Sequence, residues 1–413
     1  MTAHRGNQSG RRRTALVAAT TALAAVQGCT FGEQAIAPGV ERAVVHAVLN
    51  PSAVDQYVLV ERTLSGRVPV ITDSLSSADD PIVSGGGVPV HGARVEVRDA
   101  NGASAVAVET QLAGRPGLPA RGTGVYRFEN LALPPTVSNR PRVGVRVVPG
   151  SQLSLRVQTP EGLVVTGAST VPGDARTRLF PVATVRTLMR DTGSLRVQWT
   201  PVPGARSYLV RVDTPHGAFF VFTDTAAATF TGDQRNLFAE RLPRVFVAGF
   251  TQWLTIAAID TNFFDYYRSG NSPFTGSGLI TRLQGGLGLF GSYVPVLSTA
   301  VVVRADPRDP FDGRYVGPGI QGRESLRLWV DGRAGALAEI TGAYRLPTEE
   351  QFGVLGTLQG TRLRLRAVES ADGRLANRVL EGEVRGDTLL LQMRGALLPQ
   401  DDGRRVFVRE TTP

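Results

Sequence analysis

The sequence predicts an all-β protein, with immunoglobulin-like and fibronectin-like β-sandwiches followed by a small antiparallel β-barrel or meander. Short runs alternate apolar and polar residues at every second position, most clearly Pro89–Asp99 and Thr361–Ala367, which is typical of strands with one buried face. Turn-forming pairs such as Asn101-Gly102 separate these runs. No segment shows a convincing helical spacing of apolar residues, so we expect strands throughout.

Length and strand spacing predict three folded regions. With 413 residues, of which 42% are apolar, the chain has enough material for two or three domains. About seven short strands separated by turns predict a first β-sandwich over 41–175. A fibronectin-like domain is expected over 176–305 and an antiparallel β domain over 306–413. Closure of the last region into a barrel is favoured because an open sheet would leave long edges exposed.

The first residues predict export. Arg11–Arg13 precede a small apolar stretch, Thr14–Val26, and this stretch is followed by Gln27, Gly28 and Cys29. A basic region, a short apolar region and small residues at a cleavage site are typical of a signal peptide, here 1–28. As a helix the apolar stretch would be only about 20 Å long, which is too short for the ~30 Å hydrocarbon core of a membrane.

Cys29 is the single cysteine of the chain and directly follows the apolar stretch. This arrangement resembles a bacterial lipobox, which implies cleavage before Cys29, acylation of its thiol and a tether over 29–40. Each buried methylene of the acyl chains adds about 0.8 kcal/mol of membrane affinity. Thr30 stands where an aspartate would signal inner-membrane retention, so an outer-membrane address in a Gram-negative-type bacterium is expected. The alternative is an ordinary signal peptide with an unrelated cysteine.

One stretch of the middle region is similar to fibronectin type III modules. Leu195–Val212 resembles two consecutive strands of such a module, with Trp199 as the core tryptophan and Tyr208 on the following strand. Trp253–Asp260 resembles a later strand, with Trp253 where these modules usually have tyrosine. Because large aromatic side chains supply much of a small core, Trp199 and Tyr208 are expected to pack together.

Charge and cysteine content exclude several classes of function. The chain has 45 basic residues, all of them arginine, against 36 acidic residues, and no cluster of basic residues is evident. Nucleic-acid binding therefore has little support. A single cysteine excludes an intramolecular disulfide framework and a site with several thiolate ligands.

Familiar catalytic and cofactor motifs are weak or missing. Gly286–Gly291 matches the G-x-G-x-x-G pattern, but no helix is expected after it, so the glycines indicate close backbone packing rather than nucleotide binding. His46, His91 and His216 are scattered and lack the spacing of a zinc site. No nucleophile elbow occurs. The sequence therefore predicts no cofactor, no firm metal site and no enzymatic activity.

Three aspartates recur every third residue at the start of the last region. Asp306, Asp309 and Asp312 could together supply the carboxylate oxygens that calcium prefers. Prolines and Arg308 between them weaken this hypothesis, and a solvated linker is the favoured alternative.

The densest aromatic cluster of the chain is a candidate binding surface. Phe263, Phe264, Tyr266 and Tyr267 lie next to Arg268, and aromatic side chains with polar tips suit sugar or peptide surfaces. The same residues suit a buried seam between domains, which we favour because the cluster closely follows a core strand.

Six short motifs lie in a fixed order before residue 295. They are Val44–Pro51, Tyr57–Thr63, Pro89–Val97, Gly124–Phe128, Asp265–Arg268 and Leu283–Ser292. Together with Cys29 they resemble the exported lipoproteins of Bacteroidetes-type bacteria catalogued as domain of unknown function 4249, over about residues 29–295. Members of that family often lie near TonB-dependent receptors, so the resemblance implies an accessory or binding role in the cell envelope.

The sequence thus predicts a cell-envelope lipoprotein that acts as a binding or accessory module with a TonB-dependent uptake system. Its expected partners are the membrane, through acylated Cys29, and a receptor or another envelope protein, and not nucleic acid. A structural or adhesive spacer of the envelope is one alternative. An extracytoplasmic hydrolase is the other, since catalytic residues can be brought together by folding alone.

Overall fold

The computed structural model describes residues 42–63, 88–112, 121–135, 141–179, 184–214, 217–235, 244–248, 251–270, 280–305, 309–317, 324–346, 351–367, 378–395 and 403–410. Their regular structure is nearly all β, which confirms the predicted fold class. No helix within these residues has the length and apolar character needed to cross a membrane.

The described residues from 42 onward belong to one compact unit. Its first part contains the strands β1 (Ala43–Leu49), β2 (Asp55–Arg62), β3 (Val88–Pro89), β4 (Arg94–Asp99), β5 (Ser104–Val106), β6 (Val108–Leu112), β7 (Arg121–Asn130), β8 (Gly144–Val145), β9 (Gln152–Gln158), β10 (Val164–Thr170), β11 (Thr184–Met189), β12 (Ser194–Gln198), β13 (Ser207–Thr214), β14 (Gly217–Thr223), β15 (Ala227–Thr231), β16 (Thr251–Ile259) and β17 (Leu287–Arg304), with the helix α1 (Thr261–Gly270) before the last of them.

A single large sheet crosses the boundary expected between residues 175 and 176. It has eleven strands, eight of which follow the order β14-β13-β16-β17-β1-β2-β7-β6. Its central strand, β17, is 18 residues long: its first residues pair in parallel with β1, and its later residues pair with β16 and β11. The predicted division of the first part into two separate sandwiches is therefore wrong, because β17 joins the two halves into one sheet.

Smaller sheets cover this large sheet and complete the core. One has the order β10-β9-β4-β5, and its inward residues share an apolar core with β1, β2 and β7. Strand β9 shows why it forms: its side chains alternate strictly between exposed and buried, as a one-sided strand requires. The buried Tyr126 links the layers, since its hydroxyl donates to Val90 O and accepts from Ala93 N, both at 2.8 Å.

The expected packing of Trp199 against Tyr208 is confirmed. Trp199 packs edge-to-face on Tyr208, with ring centroids 5.1 Å apart, and the Tyr208 hydroxyl accepts a hydrogen bond from Val202 N at 2.8 Å. Trp253 lies on a strand, β16, as expected. Its side chain is 45% exposed, however, because it is on the face of β16 opposite the buried Leu254.

Helix α1 was not expected from the sequence. It begins directly after Asp260, whose side chain accepts a hydrogen bond from Phe263 N at 2.9 Å and so caps the first turn. The aromatic residues at positions 263, 264, 266 and 267 fall on one broad face of the helix, and this face packs on the large sheet. The helix was missed because a short run of adjacent aromatics resembles a strand as closely as it resembles a helix.

The second part of the unit is a closed antiparallel barrel of eight strands, as predicted. The strands are β18 (Gly313–Val316), β19 (Ser325–Ala334), β20 (Leu337–Arg345), β21 (Gln351–Gln359), β22 (Arg362–Ala367), β23 (Val379–Arg385), β24 (Thr388–Arg394) and β25 (Gly403–Arg409). Aliphatic and aromatic side chains fill its interior, and on β22 the intervening arginines at 362, 364 and 366 are exposed.

The two ends of the barrel differ in their connections. At one end, two-residue turns join neighbouring strands, and each turn has a glycine with positive φ: Gly335, Gly360 and Gly386. At the other end the connections are longer, from five to eleven residues. Longer connections at one end of a closed barrel are where binding residues are commonly carried.

Buried ion pairs join the barrel to the first part. Arg190, just after β11, pairs with Asp331 on β19, and Arg244 Nε lies 2.9 Å from the same carboxylate oxygen. The side chains of Arg190 and Asp331 are 3% and 1% exposed. Trp329 packs into the core of the first part, and the Arg190 guanidinium lies 5.7 Å from the centre of its ring. The junction is thus tightly packed as well as charged.

Candidate functional site

Three predicted site residues lie outside the described part of the chain. They are the lipidation candidate Cys29, His216 and Asp306. Lipid anchoring at Cys29 therefore stays a prediction, as does any contribution of Asp306 to a calcium site.

The aromatic cluster lies inside the protein and does not form a surface. Phe263, Phe264, Tyr266 and Tyr267 are at most 8% exposed and pack between α1 and the large sheet. Arg268 alone is exposed, with its guanidinium 5.7 Å from the Phe264 ring. The binding-surface hypothesis is therefore wrong for the four aromatic residues. The favoured alternative was right about burial, but the seam lies between a helix and a sheet of the same part.

The two described histidines have different environments. His46 is 3% exposed and lies edge-on to Tyr266 and Tyr267, with ring centroids 5.6 and 6.4 Å away. Burial lowers the pKa of His46 to about 4, since the charged form loses its hydration. His91 is exposed and its Nδ1 lies 2.8 Å from a Glu109 oxygen. Neither position resembles a metal site.

The described aspartates of the calcium candidate are engaged within the chain. Asp309 forms an ion pair with Arg333, at 2.6 Å, and Asp312 accepts a hydrogen bond from Val330 N at 2.7 Å. Across the described ranges, no three His, Cys, Asp or Glu residues lie close enough together to hold a metal ion. These two carboxylates instead fix the segment before β18 against β19.

The glycine-rich motif forms the start of β17 and no helix follows it. Gly288 has a φ of +112°, and a Cβ atom there would lie 2.0 Å from Val45 O. The motif therefore permits close parallel pairing of β17 with β1, in agreement with the packing role expected from the sequence.

A buried polar network lies at the start of α1 and was not predicted. The Asp260 carboxylate accepts hydrogen bonds from Phe263 N, Ser292 N and the Ser169 hydroxyl, at 2.8 to 3.1 Å. Ser169 Oγ also lies 2.6 Å from Ser292 Oγ. Burial raises the pKa of Asp260 to about 6, even though these hydrogen bonds favour the charged form. Since all three side chains are at most 5% exposed, this network links β10, β17 and α1 and is closed to a substrate.

A second polar group, which we call the barrel cluster, consists of Glu324, Tyr344, Arg378 and Arg405. All four lie at the barrel end with the longer connections, because they come at the end of β20 or at the start of β19, β23 and β25. The Tyr344 hydroxyl donates to Glu324 Oε1, and Arg405 Nε donates to the same oxygen at 3.1 Å. Burial and the adjacent carboxylate raise the pKa of the Tyr344 hydroxyl. The Glu324 charge is thereby compensated within the barrel.

Arg378 differs from the other charged members of the barrel cluster. Its side chain faces the interior, two positions before the buried Leu380, and the residue is only 6% exposed. Its guanidinium lies 5.6 Å from the centre of the Phe352 ring. Two of its nitrogens, Nε and Nη1, are buried and have no hydrogen-bond partner among the described residues. A buried cation with unused donors is costly in free energy, and an anionic partner would lower that cost.

The sequence contains a signal for the barrel cluster that was not recognised. Arg378 and Arg405 fall at inward positions of strands whose other inward residues are apolar, Leu380 and Phe407 among them. The expected strands began three residues after Arg378 and at Arg405 itself, so neither arginine was recognised as inward-facing. An arginine in phase with buried leucines is therefore the pattern that would have found the site.

Comparison with known proteins adds no assignment to this geometry. Neither a scan against protein-family models nor a search of curated proteins gives a match to the chain.

Proposed function

We propose that this chain is a lipid-anchored protein of the bacterial cell envelope that binds a ligand without chemically changing it. The observation that carries the binding role is Arg378, a buried cation with unused hydrogen-bond donors at one end of a closed barrel. Protein interiors tolerate such a group where an anionic partner completes it.

The envelope location rests on the N-terminal sequence. A basic segment, a short apolar stretch and Cys29 after Gly28 have the order of a lipoprotein signal. Several acyl chains on one cysteine give a long-lived membrane attachment, because the free energy of insertion grows with each buried methylene. We further propose that the protein is located in the outer membrane and that its partner is a TonB-dependent receptor.

The experiment is membrane fractionation with mass spectrometry of the N-terminus, followed by affinity capture from the membrane. The wild-type chain is expected in the outer-membrane fraction with an acylated Cys29. Cys29→Ala is expected to lose the acyl mass and the membrane association. Thr30→Asp is the matched variant: it keeps the acylated cysteine and is expected to shift the protein to the inner membrane.

Each outcome decides between the functions considered. Capture of a receptor together with the acylated protein supports an accessory role in uptake. Acylation without a captured partner favours a structural spacer, for which the buried Arg190–Asp331 junction would provide stiffness. An unacylated wild-type chain that begins elsewhere overturns the lipoprotein proposal.

A further inference from the structure

We propose that the outer edge of strand β11 binds an extended acidic segment of a partner protein, which adds to the large sheet as a further strand. This edge lies in the first part of the molecule and involves neither Cys29 nor Arg378. It is therefore a second surface, separate from the features on which the proposed function rests.

Strand β11 lies at the border of the large sheet. Among the described strands it pairs only with β17, in parallel, with Val185 opposite Ala300. Residues 185–187 are all exposed, and Val185 is 70% exposed. A strand edge that is exposed in this way is open to pairing with another chain.

The pairing of β11 with β17 identifies the free backbone groups of this edge. Arg190 N donates to Arg304 O at 2.8 Å, so Arg190 and every second residue before it direct their backbone groups towards β17. The N–H and C=O groups of Val185 and Thr187 therefore point away from the sheet. Within the described part of the chain, none of these four groups has a hydrogen-bond partner.

Unpaired arginines beside the edge select the charge of the added strand. Arg186 is exposed on β11, and Arg304 is exposed at the end of β17, opposite Met189. Neither guanidinium forms an ion pair with a described residue. A residue directly opposite Arg186 on the added strand would have its Cβ atom about 5 Å away, where an opposite charge is favourable. We therefore expect a carboxylate at that position.

The residues on either side of this carboxylate are expected to be apolar. Because side chains alternate along a strand, they would fall beside Val185 and Thr187, on the other face of the sheet. An apolar or β-branched side chain there would cover the exposed Val185. In strand addition the backbone hydrogen bonds supply affinity and the alternate side chains supply specificity. The expected pattern of the partner segment is thus apolar, acidic, apolar.

The charge of Arg186 disfavours a second copy of this chain at the same edge. The antiparallel register that uses all four free groups pairs Val185 with Thr187 of the other copy. It would place two Arg186 side chains directly opposite each other, and like charges in that arrangement are destabilising. Charged side chains on strand edges commonly prevent self-association of this kind. Arg186 therefore excludes a second copy and favours an acidic strand.

The test is fluorescence anisotropy of labelled peptides with the full-length Cys29→Ala chain. The acidic probe is a capped peptide of sequence GTVEVTG. A peptide with arginine in place of the glutamate is expected to bind about tenfold more weakly, because it replaces an attractive pair with a repulsive one. An acidic peptide whose three central backbone nitrogens are methylated keeps the side chains, and it is expected to lose binding because it cannot form the ladder.

Variants of the protein locate the contact. Arg186→Glu is expected to reverse the preference, so that the arginine peptide binds more tightly than the acidic probe. Arg394→Glu, at an exposed position of β24, makes the same change in net charge and should keep the preference of the parent chain.

Thr187→Pro tests the backbone contact from the side of the protein. It removes an N–H group that the sheet does not use, so the variant should melt like the parent chain but lose the acidic probe. Should Thr187→Pro fail to fold, the methylated peptide tests the same contact without any change to the protein.

Three results would overturn the proposal. They are no binding of the acidic probe, equal binding of the acidic and arginine peptides, and equal binding of the methylated and unmethylated acidic peptides. Sedimentation of the parent chain tests the other occupant: a monomer is expected, and a dimer that Thr187→Pro dissociates would assign the edge to a second copy. None of these outcomes changes the case for the lipid anchor or for Arg378.

Discussion

Arg190 and Asp331 form an ion pair that crosses from the first part of the molecule to the barrel, with both side chains almost fully buried. Arg244 reaches the same carboxylate from a third segment of the chain, and Arg235 lies 3.7 Å from its other oxygen. Asp331 therefore pairs with several arginines, of which Arg244 also pairs with Asp191 at 3.0 Å, and its removal would leave the buried Arg190 without this carboxylate.

Asp331→Asn is expected to destabilise the protein by about 3–5 kcal/mol, the usual cost of removing one partner from a buried ion pair. Denaturant unfolding at neutral pH measures the effect. Asp224→Asn is the control, because Asp224 pairs with Arg206 at an exposed position and should change stability by less than about 1 kcal/mol. Equal effects of the two substitutions would contradict the importance of the junction.

His46 is expected to make the protein sensitive to acid. Burial lowers its pKa from 6.5 to about 4, so the unfolded chain takes up a proton at a higher pH than the folded protein does. The stability that His46 contributes is present above pH 6.5 and is lost as the pH falls through 4, by roughly 3 kcal/mol in total. Unfolding at a series of pH values should show a shallower acid loss for His46→Gln.

His91→Gln is the matched control for that series, because His91 is exposed. It should keep most of the wild-type loss of stability in acid, apart from a small change that follows because the His91 contact helps to lower the pKa of Glu109. If His46→Gln and His91→Gln give the same curve, the buried histidine does not determine the acid response.

Asp260 is expected to change the stability with pH in the direction opposite to that of His46. Burial raises its pKa from 3.8 to about 6, so the folded protein holds a proton that the unfolded chain has already released. The stability from this protonation is present below pH 3.8 and is lost as the pH rises through 6, by roughly 3 kcal/mol. Asp260→Asn keeps an acceptor for the first turn of α1 and removes the titration.

Relative to the wild-type protein, Asp260→Asn should therefore gain stability as the pH rises from 4 to 7. The measurement is the difference in unfolding free energy at each pH, with Asp224→Asn again as the exposed reference. A constant difference across this range would mean that Asp260 titrates at the same pH in the folded and unfolded states.

Because one face of α1 is buried, substitutions on its two faces should change the stability of the protein by different amounts. Phe263→Ala removes a fully buried ring and is expected to cost about 3–5 kcal/mol. Arg268→Ala changes an exposed side chain and is expected to alter stability by no more than about 0.5 kcal/mol. Denaturant unfolding of both variants measures these effects. If Phe263→Ala is as stable as the wild-type protein, the burial of the aromatic cluster is contradicted.

Local patterns predicted the strands well. The alternation in β4, β9 and β22 indicated which face is buried, because side chains on a strand point to opposite sides in turn. The closed barrel also followed from such local patterns. The neighbouring strands are antiparallel and joined by connections of two to eleven residues, so these pairings are close in sequence. Closure through β18 and β25 was expected because an open sheet would leave long edges exposed.

Non-local relationships were not visible in the sequence. The parallel pairing of β1 with β17 joins segments at opposite ends of the first part, and no local pattern reports it. The inward position of Arg378 is similar, because the inside of the barrel is defined only when β18 and β25 meet. The helix α1 was missed for a different reason, namely that burial on the sheet, more than helical propensity, stabilises its aromatic run.

The pairing of Val44 with Leu287 has a consequence for how the chain folds. One edge of β1 can pair with β2 as soon as both strands are synthesised, but its other edge must wait for β17, so the contacts with β17 have a very high sequence separation and form slowly. The barrel has mostly neighbouring contacts and should fold sooner after its synthesis. Until β17 is in place, the apolar β1 is exposed to aggregation, and a chaperone that shields Ala43–Leu49 would raise the yield of native protein.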